Sequence, residues 1–232
     1  MTAALSIIVP VLNEEAGIVA ALDALAGYRR HGHEAIVVDG GSSDRTAEFA
    51  RPLSDAVIAA PRGRAAQMNA GAAQAAGDTL LFLHADTRLP PAADGAIVDG
   101  LRQSGRRWGR FDVAIAGKSP ILRIVAATMN LRSRLSGIAT GDQAIFVTRD
   151  AFAECGGYPD IPLMEDIALS RRLKRASRPL CLKGRVTTSG RRWEQRGILR
   201  TVFLMWRLRL AYFLGAEPHA LARRYGYVPR EG

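Results

Sequence analysis

Asp39, Glu14 and Asp86 each stand at or just past the end of a short apolar run, with Asn13 and His84 beside them. AIVV (Ala35–Val38) leads into DGGSSD (Asp39–Asp44), SIIVPVL (Ser6–Leu12) delivers Asn13 and Glu14, and TLLFLHA (Thr79–Ala85) delivers Asp86. A β-branched run that closes on an acid, followed by glycines and a Ser/Asp-rich helix start, is a buried parallel strand. It presents a carboxylate to the crevice at the edge of a sheet. Three strands releasing polar groups at their carboxyl ends define one site. A carboxylate such as Asp86, in LHADT, suits a Mg2+ or Mn2+ ion bridging a diphosphate, because hard cations take oxygen ligands and keep several waters. Such an ion offsets the charge that builds on a departing diphosphate. The expected ligand carries a diphosphate.

Positioning these groups requires strands and helices to alternate. The patterning predicts strands over 5–11, 35–39, 56–59 and 79–84. Helices follow over 14–27, where Ile18, Leu22 and Leu25 share a face, near 43–51 with Ser42 or Ser43 as N-cap, and over 64–76. Alternation of this kind implies an α/β fold with a mostly parallel, doubly wound sheet and right-handed crossovers. Further on, Pro90-Pro91 open a helix reaching Gln103, and Trp108–Ile115 reads as a strand. Helices are expected over Ser119–Leu135, Thr148–Glu154 and Glu165–Arg175, strands over Ala144–Val147 and around 180–188. A long basic-apolar helix runs from Trp193 to Gly215, and Glu217–Tyr225 forms one more, with Pro218 in its first turn. No linker, repeat or low-complexity run interrupts the chain. It reads as a single domain over 1–232, with halves over about 1–89 and 90–192 and a helical segment over 193–232.

Composition narrows the partners. The 232 residues are 48% hydrophobic and 23% charged, and 32 Lys and Arg face 22 Asp and Glu, a net charge of +10. That excess suits an anionic partner such as a nucleotide phosphate or acidic lipid. Cys155 and Cys181 lack the spacing of a metal or redox motif and read as reduced core thiols, which fits a cytoplasmic setting. The N-terminal apolar run lacks a basic region before it and reads as a first strand rather than a signal peptide. No GxGxxG follows it, which argues against a dinucleotide fold. Gly117-Lys118-Ser119 matches only the end of a phosphate-binding P-loop, since Asp112 stands where that motif needs glycine.

Taken together, SIIVPVLNEE, VVDGGSSDRT, RGRAAQMNAG (Arg62–Gly71), LLFLHADT and LMEDIALSRRL resemble the family 2 glycosyltransferases of the GT-A (Rossmann-like) fold, over about Leu5 to Trp193. The size is similar to a short bacterial branch that includes enzymes associated with arsenosugar biosynthesis. The resemblance implies inverting transfer of a sugar from a nucleoside diphosphate of UDP or GDP type. It implies that Pro10, Asn13 and Glu14 shape the nucleotide pocket, that Asp39 accepts a hydrogen bond from the base, and that Arg64 and Asn69 approach the nucleoside. Asp86 matches the last Asp of the family's metal-binding DxD, and His84, a softer ligand, occupies the position of the first. Glu165-Asp166 match the family's ED motif. Inverting displacement needs one general base for the acceptor hydroxyl, and by position that is Asp166, with Glu165 its neighbour. Gly141 and Asp142, in GDQAIF, fall on the acceptor side. Arg192-Trp193 match the RW of the family's QxxRW, with Ser189 at the Gln position.

In the terminal helix, Arg196, Arg200 and Arg207 share a face while Ile198, Leu199, Val202, Phe203, Trp206 and Leu210 spread elsewhere. Core packing with an arginine rim is the first expectation. Contact with acidic lipid through 193–215, which would suit a lipid-linked rather than a small-molecule acceptor, is the second, and a dimer interface the third. Arg200, Arg207 and Arg209 argue against a spanning segment over Ile198–Leu214. The expected location is cytoplasmic, with peripheral contact at the inner membrane face. Two other classes compete. A sugar-1-phosphate nucleotidyltransferase would carry a Gly- and Arg/Lys-rich loop where VLNEE stands. A basic module binding nucleic acid or membrane would leave the strand-end acids without a role, and no nucleic-acid partner is expected.

Overall fold

The computed structural model describes residues 5–227. Strand β1 (Leu5–Val11) leads through α1 (Glu15–Asp23) and α2 (Ala26–Arg30) to β2 (Glu34–Asp39). Helix α3 (Thr46–Ala50), β3 (Ala56–Ala59), α4 (Arg64–Gln74), β4 (Thr79–Phe82) and the short β5 (Thr87–Arg88) follow. The second half contains α5 (Ala93–Ser104), β6 (Trp108–Ala116), α6 (Ile121–Ser136), β7 (Phe146–Thr148), α7 (Arg149–Glu154), α8 (Glu165–Ala176) and β8 (Leu180–Ser189). Helices α9 (Arg191–Arg196), α10 (Ile198–Phe213) and α11 (Pro218–Tyr225) complete the described chain.

One sheet runs through both halves in the order β3-β2-β1-β4-β7-β6-β8-β5. Strands β1 to β4 pair in parallel, and β7 runs antiparallel to both β4 and β6, which restores β6 and its parallel partner β8 to the direction of β1. Only β5 and β7 are reversed, so six strands release their ends at one rim. β1 is buried on both faces, as a central parallel strand must be: Leu5, Ile7, Ile8, Val9 and Val11 are all at most 2% exposed. One apolar cluster gathers Ile7, Val9, Ile18, Leu22, Phe111 and Val186, and a second gathers Ile8, Met68, Leu80, Phe82 and Phe152.

Several boundaries differ from the sequence expectation. The helix expected over 14–27 is two, because a tighter turn, Leu25 N–H to Leu22 O at 2.9 Å, drops Leu25 into the core. The helix near 43–51 begins only at Thr46, and Ser42 and Ser43 do not cap it, because their groups bond to Asp39 and Asn13 instead. The long terminal helix breaks at Gly197, whose φ of +84° an L side chain rarely adopts. Cys155 and Cys181 are free but only part-buried.

Candidate functional site

The parallel rim gathers the polar residues. β1 ends in Asn13 and Glu14, β2 in Asp39, and β4 in the segment from His84 to Asp86. The chain leaving Asp86 crosses to the far edge, where Thr87 pairs with Thr188 of β8 and their hydroxyls meet at 3.2 Å. β8 then ends at the same rim, which brings Arg191 and Arg192 beside Glu14. β7 runs the other way, so its entry turn, Gly141–Gln143, also sits at this rim.

On the β1–β2 side a web of short-range bonds sets the loop. Ser42 donates from both its amide and its hydroxyl to Asp39 Oδ1, at 3.1 and 2.5 Å. Asn13, at φ +54°, accepts from Ser43 N–H at 2.9 Å and donates its own N–H to Ser42 Oγ. Beneath lies Gln67, only 4% exposed, whose amide nitrogen donates to Val11 O and Val38 O at 2.8 Å each. It ties the carboxyl ends of β1 and β2 together. Sequence reasoning missed Gln67, and its signal is a polar residue among the buried apolar positions Ala65, Met68 and Ala72 of α4. Pro10 pairs opposite Val38 near the end of β1. Asn69 bonds at both ends of its amide to the backbone of Tyr158, at 2.8 and 2.9 Å, and so fastens α4 to the loop after α7.

The turn at Gly141 is held from two sides. Asp166 Oδ2 accepts from Gly141 N–H at 2.9 Å, and His84 Nδ1 lies 3.6 Å from Asp142 Oδ1. A Cβ on Gly141 would stand 2.6 Å from the His84 ring, so only glycine lets the imidazole lie there. Residues from three separate segments thus meet at one turn. Glu165 and Asp166 are presented by Met164, a non-glycine residue at φ +70° and the N-cap of α8. Backbone strain of this kind persists where the surroundings impose it, often at functional positions. Asp166 also accepts from Ile167 N–H at 2.7 Å.

Electrostatics tie the groups together. Burial, then the charge of Asp166, push the Glu165 carboxyl up to about 7, against the pull of Arg64. Desolvation opposes the charge on Arg64, but Glu165, Asp142, Tyr225 and Asp166 outweigh it and raise its proton affinity. Burial and the nearby Asp86 raise Glu14, while Arg191 and Arg192 hold it down. Burial would raise Asp142, but His84, Arg64 and Arg192 bring it below the usual carboxylate range. Behind Asp166, burial and Arg209 lower Arg132 to about 10. Arg132 Nε and Nη2 and Arg209 Nε are buried without a hydrogen-bond partner among the described residues. Sequence reasoning missed this pair, whose arginines come from two separate helices.

The predicted residues are therefore not equally placed. Glu14, Asp86 and Arg192 interact, as do His84, Gly141, Asp142, Asp166, Glu165 and Arg64. Trp193 packs half-buried against the core cluster of β1. Asp86 is exposed, its carboxylate bonded only weakly to Thr87 at 3.3 Å. A Mg2+ or Mn2+ that borrows phosphate oxygens and waters needs one or two protein carboxylates, and Asp86 fits that need. His84 fits less well, since Nδ1 faces Asp142 and Nε2 packs on Gly141. Among the described residues no three His, Cys, Asp or Glu side chains converge as a metal cluster.

The family model for glycosyl transferase family 2 matches residues 6–153. A PGL/p-HBAD biosynthesis glycosyltransferase of Mycobacterium tuberculosis is 40% identical over 91 residues, covering 36% of this chain and 36% of the relative. The chain thus spans little more than a third of the curated relatives it matches. S. aureus TarS 1–349, solved in complex with UDP-GlcNAc, is similar with a TM-score of 0.65 at 18% identity, over 80% of this chain and 58% of that one. The mannosyltransferase PcManGT from Pyrobaculum calidifontis, solved with GDP-Man and Mn2+, is similar with a TM-score of 0.64 at 21% identity, over 99% and 66%. At such identities the likeness to solved structures speaks for the fold.

Proposed function

The chain belongs to glycosyl transferase family 2 and has the GT-A fold, and from that premise we propose that it transfers a sugar from a nucleoside diphosphate to an acceptor hydroxyl with inversion at the anomeric carbon. The observation that carries the reading is the doubly held turn at Gly141, which joins the strand end bearing His84 to the helix start bearing Asp166. The donor lies across the parallel rim, with Pro10, Asn13, Glu14, Arg64 and Asn69 around the nucleotide. Asp39, oriented by Ser42, accepts from the base. UDP and GDP sugars are the donor types, as bound in TarS and PcManGT.

Asp166 is the general base. It is the more accessible of the pair and touches the acceptor-side turn, and its carboxylate takes the acceptor proton as the hydroxyl attacks. Glu165, buried beneath it with its carboxyl near 7, keeps the pair from carrying two full charges around neutral pH. Asp142 and Arg192 flank the acceptor. Asp86 would hold a Mg2+ or Mn2+ ion, which when bound supplies positive charge to the departing diphosphate. The acceptor is a small molecule or a lipid-linked one, and the protein works on the cytoplasmic side, in contact with the membrane surface.

The test is single-turnover transfer or hydrolysis with UDP- and GDP-sugars, with and without Mn2+. Asp166→Asn should lower turnover by about 10²–10⁴-fold while calorimetric binding of the nucleotide stays nearly unchanged. If that substitution abolishes nucleotide binding, the role given to Asp166 is wrong.

A further inference from the structure

Apart from Val19, every large apolar side chain standing exposed among the described residues lies on α6, on α10 or on the residue that ends α10. On α10, Leu199, Phe203, Trp206, Leu210 and Phe213 recur at steps of four, three, four and three, which draws one stripe along the helix. Trp206 is 69% exposed and Phe203 65%. On α6, Ile124, Leu131 and Leu135 share a face in the same way. The two helices touch, and a groove of about 450 Å³ lined by Ile121, Glu194, Ile198, Leu199 and Arg200 joins their beginnings, where the Glu194 carboxylate is taken up by the backbone N–H groups of Lys118 and Ser119. The core packing expected of α10 holds only on its other side, where Thr201 and Leu208 are buried.

Charge decides what covers this face. Neither helix contains an acid, and Arg123, Arg200 and Arg207 stand exposed beside the apolar rows. A second copy of the chain is the rival occupant, since the α10 spacing is that of a coiled-coil seam. Such seams set acids against bases at their flanks, whereas two copies here would bring arginine against arginine. Aromatic and aliphatic side chains flanked by arginines match an acidic lipid surface instead, with the apolar row below the headgroups and the guanidinium groups at the phosphates. No helix among the described residues is long and apolar enough to cross a membrane, so the helices would lie on it.

We propose that α6 and α10 together form a docking face for an acidic lipid bilayer, which delivers the acceptor to the rim. The inference rests on the reading of a lipid-linked acceptor and gives it a surface. Leu208, on the buried side of α10, belongs to the same apolar cluster as Met164 and Ile167, the residues flanking Glu165 and Asp166. The docked face therefore lies about one helix diameter, ~10 Å, from the acids.

The test is sedimentation of the whole chain with vesicles of phosphatidylglycerol and phosphatidylcholine against vesicles of phosphatidylcholine alone, without sugar nucleotide. Partition onto the acidic vesicles should fall about tenfold or more both in Phe203→Ser/Trp206→Ser and in Arg200→Glu/Arg207→Glu. All four side chains are exposed, and thermal melting checks that the variants stay folded. The proposal is overturned if the wild type stays in the supernatant, or if both variants bind as it does. It is also overturned if the lipid-free wild type is a dimer that Phe203→Ser/Trp206→Ser makes monomeric, which would make the face a contact between copies. Failure here leaves soluble-acceptor transfer standing. A chain that docks yet transfers from no sugar nucleotide refutes the enzymatic reading alone.

Discussion

Replacing Glu165 by glutamine should make the protein gain stability relative to the wild type as pH climbs from 4.5 to about 7, with the gain levelling off above that. Glu165 is 6% exposed, and its carboxyl rises from 4.5 to about 7 because burial and Asp166 disfavour the anion. The folded state then holds a proton that the unfolded state has released, so wild-type stability falls as pH climbs from 4.5 to about 7. Integrating that linkage between pH 5 and pH 8 gives a loss on the order of 2–3 kcal/mol from this one group. The glutamine variant keeps the volume and has no proton to lose. Its stability minus that of the wild type should therefore rise by the same amount over that interval. Urea unfolding of both proteins at half-unit pH steps, in chelator and without nucleotide, measures the difference directly. A difference that stays flat, or that falls with pH, would refute the claim that Glu165 is buried against its own charge. In the same variant the acidic limb of the turnover profile should move, because the neighbour of Asp166 no longer titrates.

Two further outcomes follow from single contacts. Gln67→Leu removes the amide that binds Val11 O and Val38 O, leaving two buried carbonyls without that donor. Val11 O keeps the Gly40 N–H at 3.0 Å, so urea unfolding should show a loss of about 1–3 kcal/mol, and nucleotide affinity should weaken with it as the loop at Asp39 loosens. Gly141→Ala would press a methyl group 2.6 Å from the His84 ring, so the imidazole must move away from Asp142. Turnover should fall by about tenfold or more with little change in melting temperature, and an unaltered His84 resonance in NMR would show the contact to be unimportant.

The strand ends were legible in the sequence because they are local patterns. A short apolar run that stops at a polar or acidic residue announces a buried strand end, and Asn13, Glu14, Asp39 and Asp86 all stand at such stops. What joins them was not legible. The bonds from Asp166 to Gly141, from His84 to Asp142 and from Gln67 to two strands connect residues that are remote in the chain. They form only because six parallel strands and one reversed strand bring their ends to a common rim. Ser42 and Ser43 looked like helix caps for the same reason: propensity names a residue's habit, and here Asp39 and Asn13 offered their groups nearer partners. The terminal helix shows the limit most plainly. An apolar stripe repeats with the same period whether it faces a core or open solvent. Only the packing of Leu208 and Thr201 inward left Phe203 and Trp206 pointing out.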